Sequence, residues 1–196
     1  METKRIAVVQ GHPDADPARF CRALGAAYAE AAVAAGHTVD VIDVAALDFP
    51  VLRSSDAFEH DPLPATLDAA QDTIGRADHL VFIYPLWLGS MPALLKAFLE
   101  QVMRPGFAIG SADAGQRSGG LLKGKSARIV VTMGMPALIY RWYFGAHSLK
   151  SLERNILRFA GIGPIRESLI GMVGAKSDTS RRRWIERMRT YGEKGV

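Results

Sequence analysis

Strand-period and helix-period stretches alternate along this chain from one end to the other, and that alternation restricts the fold more than any single motif. Lys4–Gln10 (KRIAVVQ) is a short, apolar, β-branched run closed by Gly11, the pattern of a buried strand. Pro17 to Ala35 is alanine-rich, with Phe20, Leu24, Ala27 and Ala31 on one helical face. Pro17 suits its first turn and Gly36 its stop. Thr38–Val44 alternates as a second strand, while Leu47–Pro62, with Pro50, charges and Phe58, reads as a long surface loop. Ala65–Ala77 is a modest helix.

His79–Pro85 (HLVFIYP) is the most apolar run and reads as a central strand. Met91–Met103 follows as a helix with Pro92 in its first turn, and Gly106–Lys125 reads as a glycine-rich loop. Ala127–Met133 is a fourth strand, Leu149–Phe159 lies in a helix, and Ile165–Val173 is a fifth strand. Asp178 or Thr179 is positioned to cap a last helix. Strands joined by helix-length crossovers imply one doubly wound parallel α/β sheet over residues 1–196. Ligands of such sheets sit outside the carboxyl ends of the strands.

With 48% hydrophobic and 22% charged residues, disorder is excluded. One cysteine, Cys21, leaves no intramolecular disulfide and suits a reducing compartment. The histidines (His12, His37, His60, His79, His147) show no metal-ligand spacing. The apolar run Ile6–Val9 is too short for a signal peptide or a membrane span, so a cytoplasmic protein without membrane insertion is expected. The net charge of +4 raises the question of nucleic acid. Its densest source is Arg181–Arg189, where Trp184, Ile185, Met188 and Tyr191 share one stripe, which reads as a packed helix with a solvated outer face. No nucleic-acid partner is expected.

The three loops after strands one, three and four carry the unusual chemistry. The first, Gly11-His12-Pro13-Asp14-Ala15-Asp16-Pro17-Ala18-Arg19-Phe20, is neither GxGxxG nor a P-loop. It still offers a phosphate the N–H groups and positive end of a helix, with Arg19 and His12 in support and Asp14 and Asp16 in opposition. The second, Tyr84-Pro85-Leu86-Trp87-Leu88-Gly89-Ser90, is apolar and stiff where a loop is ordinarily polar, which suits a flat neutral ring bonded by main-chain N–H groups. In the third, Thr132-Met133-Gly134-Met135, Gly134 admits a ligand close to the backbone, and an aromatic cluster (Tyr140, Trp142, Tyr143, Phe144) follows beside His147. Gly119–Ser126 fits the pattern GxxxxGK[ST] but enters a strand instead of opening a helix, so it is no ATP site.

Together these loops resemble the flavodoxin-like NAD(P)H:quinone oxidoreductase family, which includes quinone reductases, modulator-of-drug-activity proteins and the ancillary oxidoreductases of potassium-efflux systems. The resemblance is strongest over Tyr84 to Ile109 (YPLWLGSMPALLKAFLEQVMRPGFAI) and extends to Leu122-Lys123-Gly124-Lys125. It implies a five-stranded sheet of order 2-1-3-4-5, bound FMN or FAD, NAD(P)H as donor, and a homodimer with its sites at the subunit interface. The implied reaction is two-electron hydride transfer, by a ping-pong scheme, to a quinone or other electron-poor aromatic acceptor.

Residue by residue, the resemblance places His12, Arg19 and Phe20 at the flavin phosphates, and Pro85, Leu86, Trp87, Leu88 and Gly89 under the isoalloxazine ring. Thr132, Met133, Gly134 and Met135 wrap the pyrimidine end, and Tyr140 and His147 fall near the family's catalytic tyrosine and histidine. The chain departs from the family where Arg19 and Cys21 replace a serine and an asparagine, and where Thr-Met-Gly-Met replaces Thr-Thr-Gly-Gly. The alternative is a flavin-containing regulatory subunit that docks on a partner with little turnover. An electron carrier of the flavodoxin type ranks lower, because its acidic docking surface is absent.

Overall fold

The computed structural model describes residues 2–110 and 120–196. Among them the chain forms five strands: β1 (Arg5–Gln10), β2 (Thr38–Asp43), β3 (His79–Pro85), β4 (Ser126–Thr132) and β5 (Ile165–Ile170). They make one sheet in the order β2-β1-β3-β4-β5, and every pairing is parallel. Parallel neighbours need long crossovers. These are α1 (Phe20–Ala34), α2 (Ser55–His60), α3 (Asp68–Arg76), α4 (Ala93–Val102), α5 (Ala137–Trp142) and α6 (His147–Lys150), with α7 (Asp178–Glu193) closing the fold. A π-helical stretch, Ser151–Arg158, prolongs α6.

Successive side chains of a strand point to opposite faces, so the core has two layers. Ile6, Val8, Val81, Ile83 and Val130 pack on Leu24, Ala27 and Tyr28 of α1 and on Met188 of α7. Ala7, Val9, Leu80, Phe82, Ile129 and Val131 pack on Ile74, Leu95, Phe98, Leu152 and Leu157 from the opposite helices. Central β3 is buried along its whole length, as its unbroken apolar run requires. On the first face α1 and α7 touch so closely that a Cβ on Gly192 would lie 2.2 Å from the Tyr28 carbonyl oxygen.

The structure corrects several boundaries. Helix α1 starts at Phe20, not Pro17, because the residues before it are bonded into turns by their own carboxylates. The stretch Leu47–Pro62 is not all loop: Ser54 Oγ accepts the Ala57 N–H and starts α2, which buries no residue and so has no apolar stripe to read. Helix α5, unforeseen in the aromatic cluster, starts after Pro136. The cap of α7 is Ser177, whose Oγ accepts from Ser180 N, and Asp178 sits in the first turn, where its charge suits the helix end. Of the glycine-rich stretch Gly106–Lys125, residues 111–119 lie outside the described residues. Gly120–Ser126 runs into β4 and opens no helix. Among the described residues no helix is long and apolar enough to cross a membrane.

Candidate functional site

The loop after β1 is held by its own polar side chains. His12 Nδ1 accepts the Asp14 N–H at 3.0 Å, Asp14 Oδ1 accepts the Asp16 N–H at 2.9 Å, and Asp16 Oδ1 accepts the Ala18 N–H at 2.9 Å. The Arg19 guanidinium lies 2.6 Å from Asp14 and 3.5 Å from Asp16. Arg22 donates to the Asp14 carbonyl and grips both carboxylate oxygens of Asp43, at 2.8 and 3.0 Å. The Asp16 N–H, and then Arg19, hold the Asp14 carboxyl below its usual range. Helix α1 consequently opens without a side-chain cap or a first-turn acid. Among the described residues, the Phe20 and Cys21 N–H groups have no acceptor. Free N–H groups at an uncapped helix start are suited to an anion.

The loop after β3 is a minimal hairpin. Trp87 and Ser90 exchange backbone hydrogen bonds of 2.8 and 2.9 Å, and the two residues between them are left-handed, Leu88 with φ 47° and Gly89 with φ 78°. Positive φ at both central positions is the type I′ arrangement, normally reserved for Asn and Gly. Leu88 at the tip is fully exposed and Trp87 half-exposed. In the loop after β4, Gly134 is exposed, and a Cβ there would meet nothing within 4 Å. Among the described residues, the N–H groups of Leu88, Gly89, Gly134 and Met135 are unpartnered.

The three loops adjoin. Leu86 N donates to the Thr132 carbonyl at 2.7 Å, the His12 and Trp87 rings meet edge to face at 5.8 Å, and Cys21 Sγ lies 3.0 Å from Thr132 Oγ1. Burial lowers the His12 pKa, so the ring is neutral near pH 7. Because Nδ1 accepts, its hydrogen resides on Nε2, ready to donate. Burial also pushes the Cys21 thiol up to about 11, which makes it a packing group and no nucleophile.

A family model described as flavodoxin-like fold matches residues 4–191. The chain belongs to the flavodoxin-like fold family. A protein of Haemophilus influenzae named an uncharacterized NAD(P)H oxidoreductase is 30% identical over 125 residues, 63% of this chain and 61% of that protein. The match thus spans less than two thirds of that relative's length. The glutathione-regulated potassium-efflux system ancillary protein KefG of Cronobacter sakazakii is 36% identical over 98 residues, 49% of this chain and 50% of that protein. Among solved structures, an NAD(P)H:quinone oxidoreductase from Methanothermobacter marburgensis superposes with a TM-score of 0.82 at 26% identity, over 98% of this chain and 96% of that one.

Within this flavodoxin-like chain, His12, Phe20, Leu86, Trp87, Leu88, Gly89, Thr132, Gly134 and Met135 come together at the carboxyl ends of β1, β3 and β4, with Pro85 as the last residue of β3. Met133 is buried and bonded to Ile170, a support for the turn. Arg19 reaches the site only through its backbone at the α1 start, since its guanidinium is bound to the two aspartates. The Tyr140 ring is buried, and His147 is exposed at the start of α6. The sequence reading missed Arg181, whose guanidinium lies 5.8 Å from the Phe20 ring centre and donates to the Val173 carbonyl, its Nε buried without a partner. The signal was there: Arg181 stands three, four and seven residues before Trp184, Ile185 and Met188, on their stripe and not on the solvated face.

Proposed function

We propose that the chain is a flavin-dependent NAD(P)H oxidoreductase that reduces quinone-like acceptors by two-electron hydride transfer. The observation that carries the reading is the set of unpartnered N–H groups at Phe20, Cys21, Leu88, Gly89, Gly134 and Met135, offered from three adjoining loops beside the open space over Gly134. That set fits a phosphate at one end and a flat ring with acceptor edges at the other, as FMN or FAD presents. When bound, the flavin supplies the capacity to take and give a hydride.

The protein's part is to bind, orient and shield. Phe20 and Cys21 N–H, with His12 Nε2–H, would hold the phosphate, and Arg181 adds positive charge from α7. Leu88 and Gly89 N–H would fix one edge of the ring, and Gly134 and Met135 N–H the other, where they stabilise negative charge. Trp87 and Leu88 would cover the ring and exclude water. His147, exposed next to the aromatic cluster, would supply the proton to the reduced acceptor. Donor and acceptor would use the same open face in turn, which makes the kinetics ping-pong. A cytoplasmic location, which the single cysteine suits, is part of the same proposal. Leu138, Ile139, Trp142, Tyr143 and Phe144, all exposed, form an apolar patch that a second copy of the chain would cover.

The test is to titrate the purified protein with FMN and FAD and follow the visible flavin spectrum, then add NAD(P)H and a quinone. The reading expects a perturbed spectrum with one of the two, bleaching by the nicotinamide and recovery with the quinone. No perturbation by either flavin overturns it. The likeness to KefG favours a second reading, a subunit that docks on a partner protein. Its mark in the same experiment is bleaching by NAD(P)H without appreciable turnover on any quinone.

A further inference from the structure

Between α5 and α6 the chain reverses through two consecutive left-handed residues, Gly145 (φ 63°) and Ala146 (φ 49°). Glycine tolerates this conformation; for alanine it is strained, and such strain persists only where the surroundings hold it. A Cβ at Gly145 would come within 2.8 Å of His147 Nε2, so the imidazole folds back over the glycine. Helix α6 begins at His147 without a side-chain cap, because its cap residue is Ala146. Its early N–H groups therefore need an acceptor from elsewhere.

Tyr140 supplies it. Its hydroxyl accepts the Leu149 N–H at 3.1 Å, the third residue of α6 and the one that a capping side chain ordinarily serves. The same hydroxyl lies 2.6 Å from Ser148 Oγ, and its backbone carbonyl accepts the Ala146 N–H at 3.0 Å. One residue thus grips the chain at three points, Ala146 within the reversal and Ser148 and Leu149 just after it. The ring is 2% exposed. A phenol has one hydrogen and two lone pairs. Leu149 takes one lone pair and Ser148 either the hydrogen or the other lone pair, and the buried ring gives the hydroxyl no opening onto a substrate.

We infer that Tyr140 is a positioning residue that clamps the Gly145–Ala146 reversal and so fixes where His147 stands, and that it is not itself a proton donor. The catalytic consequence rests on the proposed oxidoreductase reading; the clamp does not. It replaces the role that resemblance alone would give this tyrosine.

The experiment compares Tyr140→Phe and Ser148→Ala with the parent chain. Amide hydrogen exchange at Leu149 should speed up by about tenfold in Tyr140→Phe, the scale of a lost helix cap, and the His147 imidazole resonance should broaden. Quinone turnover should fall in both variants, with the shape of the pH profile kept. Unchanged exchange at Leu149 overturns the clamp. A limb of the pH profile lost in Tyr140→Phe but kept in Ser148→Ala overturns it too, because it would make the phenol a proton donor. If the parent chain binds neither flavin, the functional reading fails by itself, and the exchange and resonance measurements still decide for or against the clamp.

Discussion

His79 begins β3 and Pro85 ends it, and the two ends of that strand lie in opposite surroundings. At the amino end, His79 Nδ1 bonds Ser126 Oγ at 2.8 Å, Lys125 Nζ takes the carbonyls of Gly75 and Ala77, and Asp78 accepts the Arg5 N–H. Arg128, just inside β4, reaches Ser168 and the Val196 carbonyl and lies over the Tyr191 ring. At the carboxyl end, backbone donors are left unpartnered and large apolar side chains stand in solvent. All three left-handed residues other than glycine among the described residues, Leu88, Ala146 and Met172, are in loops on that side. One end of the sheet is built for stability. The other keeps its strain and its open donors where a ligand can engage them.

The largest expected effect tests the amino end. Burial first, then the charges of Lys4, Arg128, Arg166 and His37, depress the His79 pKa from 6.5 to about 3. The folded protein therefore keeps this imidazole neutral while the unfolded chain protonates it. Stability from this group is complete above about pH 6.5 and is lost progressively as the pH falls toward 3. At about 1.4 kcal/mol per pKa unit the loss is on the order of 4 kcal/mol. Urea unfolding across that range should show it, and His79→Gln, which has no such proton to gain, should show a flatter dependence. Equal slopes would mean that the amino end does not carry the stability ascribed to it.

The next effect tests the open end. Gly134→Ala adds a methyl group that touches nothing in the protein. Thermal stability should therefore stay where it is, while flavin affinity should fall by about 30-fold, equivalent to roughly 2 kcal/mol. A drop in melting temperature would mean the space over Gly134 is already filled by the fold. Unchanged affinity would mean that the ring does not come close to this backbone.

The fold was legible because its signals are long-range patterns. Runs such as HLVFIYP and ARIVVTM could only be buried strands, and helix-length crossovers left few alternatives to the observed sheet. The short helices were not legible. Helix α2 buries nothing, so periodicity had nothing to show, and α5 was hidden by aromatic residues that point outward. The site was legible in part. Trp87, Gly89 and Gly134 announced it as apolar or flexible residues where a loop is ordinarily polar. The fate of Arg19 was not readable, since only the folded turn brings Asp14 and Asp16 onto its guanidinium. Arg181 sat in a run of arginines whose charge masked its place on the packed stripe.

The smallest effect bears most directly on the difference between the two ends. Leu88 is fully exposed, so replacing it removes no buried contact, and it holds a φ of 47° that costs a branched side chain about 1–2 kcal/mol. Leu88→Gly relieves that strain but gives the unfolded chain extra freedom worth about 0.5–1 kcal/mol. The net expectation is a gain of about 0.5–1 kcal/mol in urea unfolding. The same replacement at Val41, exposed in the body of β2 with ordinary strand geometry, should lose about 1 kcal/mol. A gain at Leu88 accompanied by weaker flavin binding would show that the loop holds a strained leucine for the ligand's sake. A loss at both positions would mean that Leu88 already packs on something in the free protein, and the open end would be less open than its geometry says.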